Sequence, residues 1–312
     1  MQFTFGTDPE FMIVHHGELK SAIDILPPKE TSLKKAGNEF YFDNVLAEIA
    51  VKPAETKNDA LNNIKKSLQE LSRIVSPAKL TIKASANYPF KEISGPKAKI
   101  AGCNPEWDAY TLQVIFPPDE DVELMEGYYQ FKTPFRSAGG HIHLGANELE
   151  DESVSLNVIR MMDLFIGIPS LYLDADNTSA ARRKIYGHAG SHRKTDYGLE
   201  YRTLGNFWLS SPKLTSLIYD LSEFVLNFVD QNQHVKFWSV NEDLLDEEDP
   251  SVAYECFGYD VNSLINCINN CDKSQADKFM NLIANYLPEG LYKDIENLIG
   301  EPLPDIYESW GI

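Results

Sequence analysis

The chain is poor in cysteine and poor in positive charge. Its four cysteines, Cys103, Cys256, Cys267 and Cys271, are thinly spread over 312 residues. Cys267 and Cys271 stand one helical turn apart, not as a CxxC pair, and no neighbouring histidine completes a zinc site. Reduced, partly buried thiols in a reducing compartment are the expectation. Lys and Arg number 28 against 47 Asp and Glu, for a formal charge of -19. Such a surface repels phosphate backbones and no basic stripe interrupts it, so direct nucleic-acid binding is not expected. The first ten residues lack a basic stretch followed by an apolar run and already carry Asp8 and Glu10, which argues against a signal peptide. The apolar stretches around Leu164 to Leu173 and Phe224 to Val229 are too short to span a bilayer. A soluble cytoplasmic protein without membrane partners is expected.

Several catalytic signatures are also missing. There is no GxxxxGK[ST] loop and no GxGxxG after a strand, so any nucleotide is held by other means. Carboxylate-bound metals bridging the phosphates, with arginines offsetting charge, are a sufficient alternative. No GxSxG elbow or Cys–His signature points to covalent acyl transfer.

What is present begins with strand-like segments. Phe3 and Phe5, then Phe11 to Val14, read as strand with a break at Gly6, and Val45 to Val51 as a second strand. Leu61, Ile64, Leu68, Leu71 and Ile74 recur at helical spacing over Asn58 to Ile74, and Pro77 stops that helix. Further strands are read at Leu80 to Ala86, His141 to Leu144 and Leu199 to Leu204. Helices are read at Asp151 to Leu173, interrupted near Gly167 and Pro169, and at Pro212 to Val229. Residues 92–140 are loop-rich. Asp174 to Gly198 lacks any period and reads as an active-site or lid loop. Asn241 to Pro250 is an acidic linker, and the remainder is helical. The order lacks regular βαβ alternation, which implies an α+β fold with a mainly antiparallel sheet. The division is a catalytic domain over 1–240 and a C-terminal helical extension over 250–312.

The informative feature is spacing. Residues i and i+2 of a strand point to one face. Asp8 and Glu10, His141 and His143, and Glu200 and Arg202 are three such pairs, the first if the strand continues through Pro9. Glu48 stands alone in an apolar strand. A buried carboxylate is costly unless paired or bound to metal. Singly, each has a plain explanation: a solvated Asp-Pro turn, a core ion pair, exposed imidazoles, a surface ion pair. Jointly they imply one shared polar face, where several carboxylates with an imidazole suit Mg2+ or Mn2+. Arg182, Arg183, Lys184, His188, His192, Arg193 and Lys194 crowd together, and guanidinium groups grip phosphate oxygens in pairs. Lys184, Arg193 and Lys194 read as a solvated charge run. Arg136, before Ser137-Ala138-Gly139-Gly140, is a further anion-binding candidate.

These residues resemble the glutamine synthetase superfamily. Phe5-Gly6-Thr7-Asp8-Pro9-Glu10-Phe11 is similar to its first metal-binding strand, Ala138 to Gly145 to its His-x-His strand, and Gly198 to Arg202 to its Glu-x-Arg strand. Asn177 to Arg182 is similar to its loop carrying a phosphate-binding arginine. The chain most resembles the phage-type COOH–NH2 ligases, the type 2 amidoligases, through Gly102-Cys103-Asn104-Pro105 and Tyr197 to Arg202. The likeness covers roughly residues 3–210 and leaves the tail after Asn241 unmatched.

The resemblance implies a glutamine synthetase-like antiparallel sheet with helices on its outer face. It implies a ligase joining a carboxylate to an amine through an acyl phosphate, with ATP as co-substrate and Mg2+ or Mn2+ as cofactor. Asp8, Glu10, Glu48, His141 and Glu200 become metal ligands, with Asp43 sharing the role of Glu48. Arg202, Arg182 and Glu48 become catalytic. Arg182, Arg183, Arg202 and Arg136 become phosphate-binding. Asn104, Asn177, Tyr197, His143 and His188 become substrate-binding. The partners implied are ATP and a small-molecule or peptide acid and amine, in a host cytoplasm if the chain is phage-encoded. A metal-dependent hydrolase on the same cluster, a non-catalytic protein on a ligase scaffold and phosphotransfer to a guanidino group stay open at this stage. The acid, the amine, the general base and the oligomeric state are unread.

Overall fold

A computed structural model describes residues 1–101, 106–116, 118–125, 128–241, 243, 254–256 and 258–312. The architecture is mixed, with helices packed against a large antiparallel sheet. Twelve strands join that sheet: β1 (Thr4–Thr7), β2 (Glu10–His15), β3 (Glu18–Lys20), β4 (Leu33–Lys35), β5 (Asn38–Asp43), β6 (Leu46–Ala54), β7 (Lys79–Thr81), β8 (Glu106–Asp108), β9 (Val114–Ile115), β10 (Ile142–Gly145), β11 (Ser191–Thr195) and β12 (Gly198–Tyr201). The main path runs β9-β8-β11-β12-β10-β1-β6-β2-β3, with β5 on β6, β4 on β5 and β7 on β2.

The helices are α1 (Lys57–Val75), α2 (Glu152–Met162), α3 (Ile168–Leu173), α4 (Ser179–Arg182), α5 (Pro212–Asp230), α6 (Val261–Asn269), α7 (Lys273–Ala284), α8 (Glu289–Glu296) and α9 (Ile306–Trp310). Helix α1 forms because Ala60, Ile64, Leu68, Leu71 and Val75 fall on one buried stripe. The Thr56 side chain caps its first turn by accepting from the Asp59 N–H, a cap worth about 1 kcal/mol. A π-turn, Asp163–Gly167, joins α2 to α3. The run 152–173 thus reaches 22 residues and is apolar enough by length and composition to cross a membrane, but 94% of its most apolar stretch is buried inside the fold. Its apolarity is that of a core helix.

Alternation divides the sheet into two faces. Phe5, Ala47, Ile49, Ile142, Leu144, Leu199 and Tyr201 point to the helices and share one hydrophobic cluster with α1, α2 and α5. That cluster also takes Leu264, Cys267, Ile268, Phe279, Ile283 and Trp310 from the C-terminal helices. The Trp310 indole donates to the Leu209 carbonyl at 2.8 Å, and the Leu80 N–H donates to the Tyr307 hydroxyl at 2.7 Å. The intervening residues of the same strands form the opposite, polar face.

Two expectations are corrected here. Asp8 and Glu10 do not share one strand: β1 ends at Thr7 and β2 begins at Glu10, because Pro9 has no N–H to give a ladder. Nor is the segment 174–198 a loop without secondary structure, although its Arg193 and Tyr197 do line cavities. It supplies α4 and all of β11, and Arg182, Arg183, Ser191 and His192 in it are buried. Thr195 and Gly198 close a tight hairpin on β12.

Candidate active site

The cross-strand register builds the site. In one row Tyr41 of β5 stands opposite Glu48 of β6, and Glu48 opposite Glu10 of β2. In the next, Gly6 of β1 stands opposite His143 of β10, His143 opposite Glu200 of β12, and Glu200 opposite Arg193 of β11. Asp8, in the break between β1 and β2, lies between the rows. Asp8, Glu10, Tyr41, Glu48, Arg193 and Glu200, with Lys29, Phe42, Asp43, His141 and Arg202, line a cavity of about 90 Å3; Gly6 and His143 line the cavity beside it.

Two groups of possible ligand atoms lie in it or at its edge. Carboxylate oxygens of Glu10, Asp43 and Glu48 all fall within 4.8 Å of one another, and so do ligand atoms of Asp8, His143 and Glu200. The first group has little positive charge to meet it. Glu48 Oε1 accepts from the Tyr41 hydroxyl at 2.7 Å, and Glu10 Oε2 accepts from the Gly139 N–H at 2.5 Å. Burial pushes the Glu10 carboxyl up to about 7, against the pull of His141. Burial and then the neighbouring Asp43, Asp8 and Glu10 hold Glu48 well above the usual carboxylate range. Asp43 is also raised, by burial first. Three carboxylates this close, in a polar cavity, are the donor set that a hard divalent cation needs.

The second group is knitted into cations. His141 Nδ1 lies 3.1 Å from Asp8 Oδ1 and 3.2 Å from Glu200 Oε1, and His143 Nε2 lies 3.0 Å from Asp8 Oδ1. Burial works to raise the Asp8 carboxyl, but the two imidazoles hold it well below the usual range. Burial works to lower the His141 imidazole, but Asp8 outweighs it and raises the ring to about 9. Glu200 meets Arg202 Nη1 at 3.2 Å and Arg193 Nη1 at 3.3 Å. Arg202 Nε also faces buried Glu106 at 3.3 Å, and its guanidinium lies over the Tyr186 ring at 5.1 Å.

The arrangement redistributes the residues singled out in the sequence. Asp8, Glu10, Glu48, His141, Glu200 and Arg202 converge on the cavity, and Asp43 joins them. His143, not His141, shares a ligand group with Asp8 and Glu200. His141 spends Nδ1 on those two acids, and its Nε2 packs so tightly on Gly139 that a Cβ there would collide with it. Tyr197 stacks on His143 with ring centroids 5.9 Å apart, and its hydroxyl bonds His143 Nδ1.

Arg136 is not in the cavity. Its Nε donates to Asn44 Oδ1 at 2.6 Å, and its terminal nitrogens donate to the carbonyls of Ala98, Thr133 and Phe135, so it binds loops together. Arg183 points to the C-terminal helices, donating to the Ile268 carbonyl at 2.9 Å and Ser170 Oγ at 3.1 Å. Arg182 stands behind the cavity and donates to the carbonyls of Thr203 at 2.9 Å and Arg202 at 3.2 Å. His188 and Asn177 line neither this cavity nor its neighbour, and Asn177 is exposed. Asn104 lies outside the described residues. Arg193, read as part of a solvated run, faces Glu200 instead. Lys29, Tyr41 and Glu106 were missed.

Residues 112–246 match the sequence model of a family of carboxylate–amine ligases, and the match spans His141, His143, Arg193, Glu200 and Arg202. That family is the phage phiEco32-like COOH.NH2 ligase-type 2, so the resemblance read from the motifs is borne out; the matched segment does not reach Asp8, Glu10, Asp43 or Glu48. No curated protein sequence matches the chain. Among solved structures, a bifunctional glutathione synthetase from Pasteurella multocida aligns at a TM-score of 0.43 and 11% identity, over 99% of this chain and 48% of that one. The chain therefore spans about half that protein's length, and a likeness of this degree carries no argument.

Proposed function

We propose that the chain is an ATP- and Mg2+-dependent ligase that joins a carboxylate to an amine through an acyl phosphate, on a sheet of the glutamine synthetase type. The observation that carries this reading is the confrontation within one small cavity. The carboxylates of Glu10, Asp43 and Glu48 come to it from β2, β5 and β6, and the guanidinium groups of Arg193 and Arg202 from β11 and the end of β12, which lie across β1 and β10 in the sheet order. The family match supports the ligase class.

A carboxylate is a poor electrophile because its leaving group is oxide. In the proposed reaction its oxygen attacks the γ-phosphorus of ATP and ADP leaves. The amine nitrogen then attacks the acyl carbon, phosphate departs and the nitrogen gives up a proton. Glu10, Asp43 and Glu48 would hold one Mg2+, and Asp8, His143 and Glu200 a second. Bound Mg2+ would screen phosphate charge and polarise the γ-phosphoryl oxygens.

The rest belongs to the chain. Arg202, fixed between Glu106, Glu200 and the Tyr186 ring, presents charge without reorganising, which is what stabilises a phosphoryl transition state. Arg193 adds a second guanidinium from the neighbouring strand. Arg182 is a positioning residue, because its bonds to the Arg202 and Thr203 carbonyls fix the end of β12. His141 orients Asp8 and Glu200 by bridging them. Tyr41 fixes one oxygen of Glu48 and leaves the other to the cavity. A cytoplasmic setting belongs to the same proposal.

The test is ADP release from ATP and Mg2+ in a small-molecule extract of the host cell, comparing the native protein with Glu200→Ala. ADP that requires the extract, disappears in the variant and accompanies a product one water lighter than its summed parents is the expected result. ADP release that persists in Glu200→Ala would remove this cavity from the reaction. Condensation without ATP would remove the acyl phosphate.

A further inference from the structure

A second cavity, of about 470 Å3, opens directly beside the acidic one, and the two share Asp8, Lys29 and Tyr41. Its character is different. The polar face of the sheet, crowded with acids in the first cavity, continues here into the small residues Thr4, Gly6, Ala50 and Gly145. Tyr197 and His143 wall one side. Gly6 lies in register with His143, and a Cβ there would stand only 3.4 Å from that histidine's Cβ. The floor is therefore flat and largely apolar, and its one large exposed ring is Tyr197, 49% accessible. A planar ring system on a short apolar body suits such a floor.

At the junction of the two cavities stands Lys29. It belongs to no strand of the sheet. Its short 3-10 turn, Lys29–Thr31, is moored to β5 because the Phe42 N–H donates to the Pro27 carbonyl at 3.0 Å. Its ammonium lies 5.1 Å from the centre of the Tyr41 ring, and that ring is held in turn by the hydroxyl bond to Glu48. Although Asp8, Glu10, Asp43, Glu48 and Glu200 line the same cavity, no carboxylate among the described residues comes within ion-pairing distance of Lys29. Every other lysine or arginine side chain that lines the cavity is already paired with an acid. A cation resting on a phenol ring over an acidic floor, and committed to no acid, is available to an anion brought by a ligand.

We propose, on the ligase reading above, that Lys29 is a phosphate-binding residue, and that the nucleotide enters through the second cavity. Its base and sugar lie on the floor of Thr4, Gly6, Ala50 and Gly145 against Tyr197. Its phosphate tail passes Lys29 into the acidic cavity, where Arg193 and Arg202 stand at the far wall. Lys29 then offsets the charge of the tail at the point where it crosses from the apolar floor to the carboxylates.

The experiment is calorimetric binding of ATP, ADP and AMP in excess Mg2+ to the native protein, Lys29→Met, Lys29→Arg, Ala50→Trp and Glu200→Ala, with thermal unfolding as a check on folding. Lys29→Met should weaken ATP about tenfold or more and AMP far less, as expected for loss of one charge-assisted contact to the outer phosphates. Lys29→Arg should restore most of that affinity, and Ala50→Trp, which fills the floor, should weaken all three nucleotides alike. Equal affinities in native protein and Lys29→Met, with Glu200→Ala impaired, would overturn the assignment of Lys29 and leave the ligase reading standing. Undiminished binding by a folded Ala50→Trp would overturn the entry route. Absence of nucleotide binding by the native protein would remove the ligase reading and this inference together.

Discussion

On the covered face of the sheet Asp163 is fully buried, and its oxygens accept from the Gly190 N–H at 2.6 Å, the Tyr201 hydroxyl at 2.7 Å and the Tyr110 hydroxyl at 3.0 Å. On the open face Glu10, Asp43 and Glu48 share one corner of a cavity. Among the described residues only the Gly139 N–H and the Tyr41 hydroxyl donate to them. Both sites push their carboxyls upward: burial takes Asp163 to about 7, as it does Glu10. A raised pKa therefore does not separate a structural acid from a functional one in this molecule. The supply of donors does. Asp163 closes a network, with each oxygen accounted for, and ties α2 to β12 and to the chain entering β11. The open trio repel one another and have oxygens to spare, which a cation would satisfy.

The sharpest way to break this comparison is Glu48→Gln. It keeps an acceptor for Tyr41 and, at a pH above the raised pKa values of the trio, removes one of three crowded charges. In the absence of metal the variant should be more stable than the native protein by about 1–2 kcal/mol, since like charges no longer share a buried corner. The native protein should gain stability with rising Mg2+ by mass action, and the variant's Mg2+ affinity should fall by about 100-fold or more. Thermal unfolding across a Mg2+ titration reads both effects. A variant less stable without metal and equally responsive to it would make Glu48 a structural acid like Asp163.

Asp163→Asn should give the opposite signature. An amide cannot accept from all the donors that Asp163 satisfies, and one buried donor left unmet costs about 2 kcal/mol. Denaturant unfolding should show that loss, with the response to Mg2+ unchanged.

The same residue gives stability a pH dependence of known sign. Its folded pKa of about 7 lies above the ordinary 3.8, so folding favours its protonated form. That contribution is fully present below about pH 4 and is lost as pH rises through 7, at a slope of about 1.4 kcal/mol per unit inside the window. Asp108, Tyr110 and Tyr201 are the titratable neighbours, and neither tyrosine ionises in this range. Stability of the native protein minus that of Asp163→Asn, followed from pH 4 to 7, should fall with pH. A flat difference would mean that the donors already hold Asp163 ionised.

The sequence made much of this face legible, because alternation needs only neighbours in the chain. His141-x-His143 and Glu200-x-Arg202 could be placed on the sheet without coordinates, and so could Glu48 in its apolar run. Asp8 and Glu10 were paired for the wrong reason: Pro9 breaks the strand, and the cavity regathers them through β6, which spans both halves. What failed was the reading of cations. Arg136 and Arg183 look like anion binders in sequence, but carbonyls from distant segments consume their donors, and no local pattern reveals that. Two local signals were available and unused. Glu39-Phe40-Tyr41-Phe42-Asp43 alternates just after the Gly37 turn and would have supplied Tyr41, and a strand position for Asp43, which the family resemblance alone had named. Ser191 to Thr195 followed by Asp196-Tyr197-Gly198 has the form of a hairpin, which sets Arg193 opposite Glu200. Lys29, on a turn outside the sheet, had no signal at all.

The smallest effect in stability separates the two kinds of arginine. Arg183→Lys keeps the charge but cannot reach both the Ile268 carbonyl and Ser170 Oγ from one nitrogen. It should cost about 1 kcal/mol in denaturant unfolding and leave the KM for ATP unchanged. Arg193→Lys, at a position 31% exposed and ion-paired among the described residues with Glu200 alone, should unfold with the native protein; on the ligase reading its ATP turnover should fall about tenfold, because a single ammonium replaces a planar fork. Were Arg183→Lys instead to impair turnover at full stability, the basic segment would be acting as the sequence alone suggests, through the arginines nearest α4 and not through the one that β11 turns toward the acids.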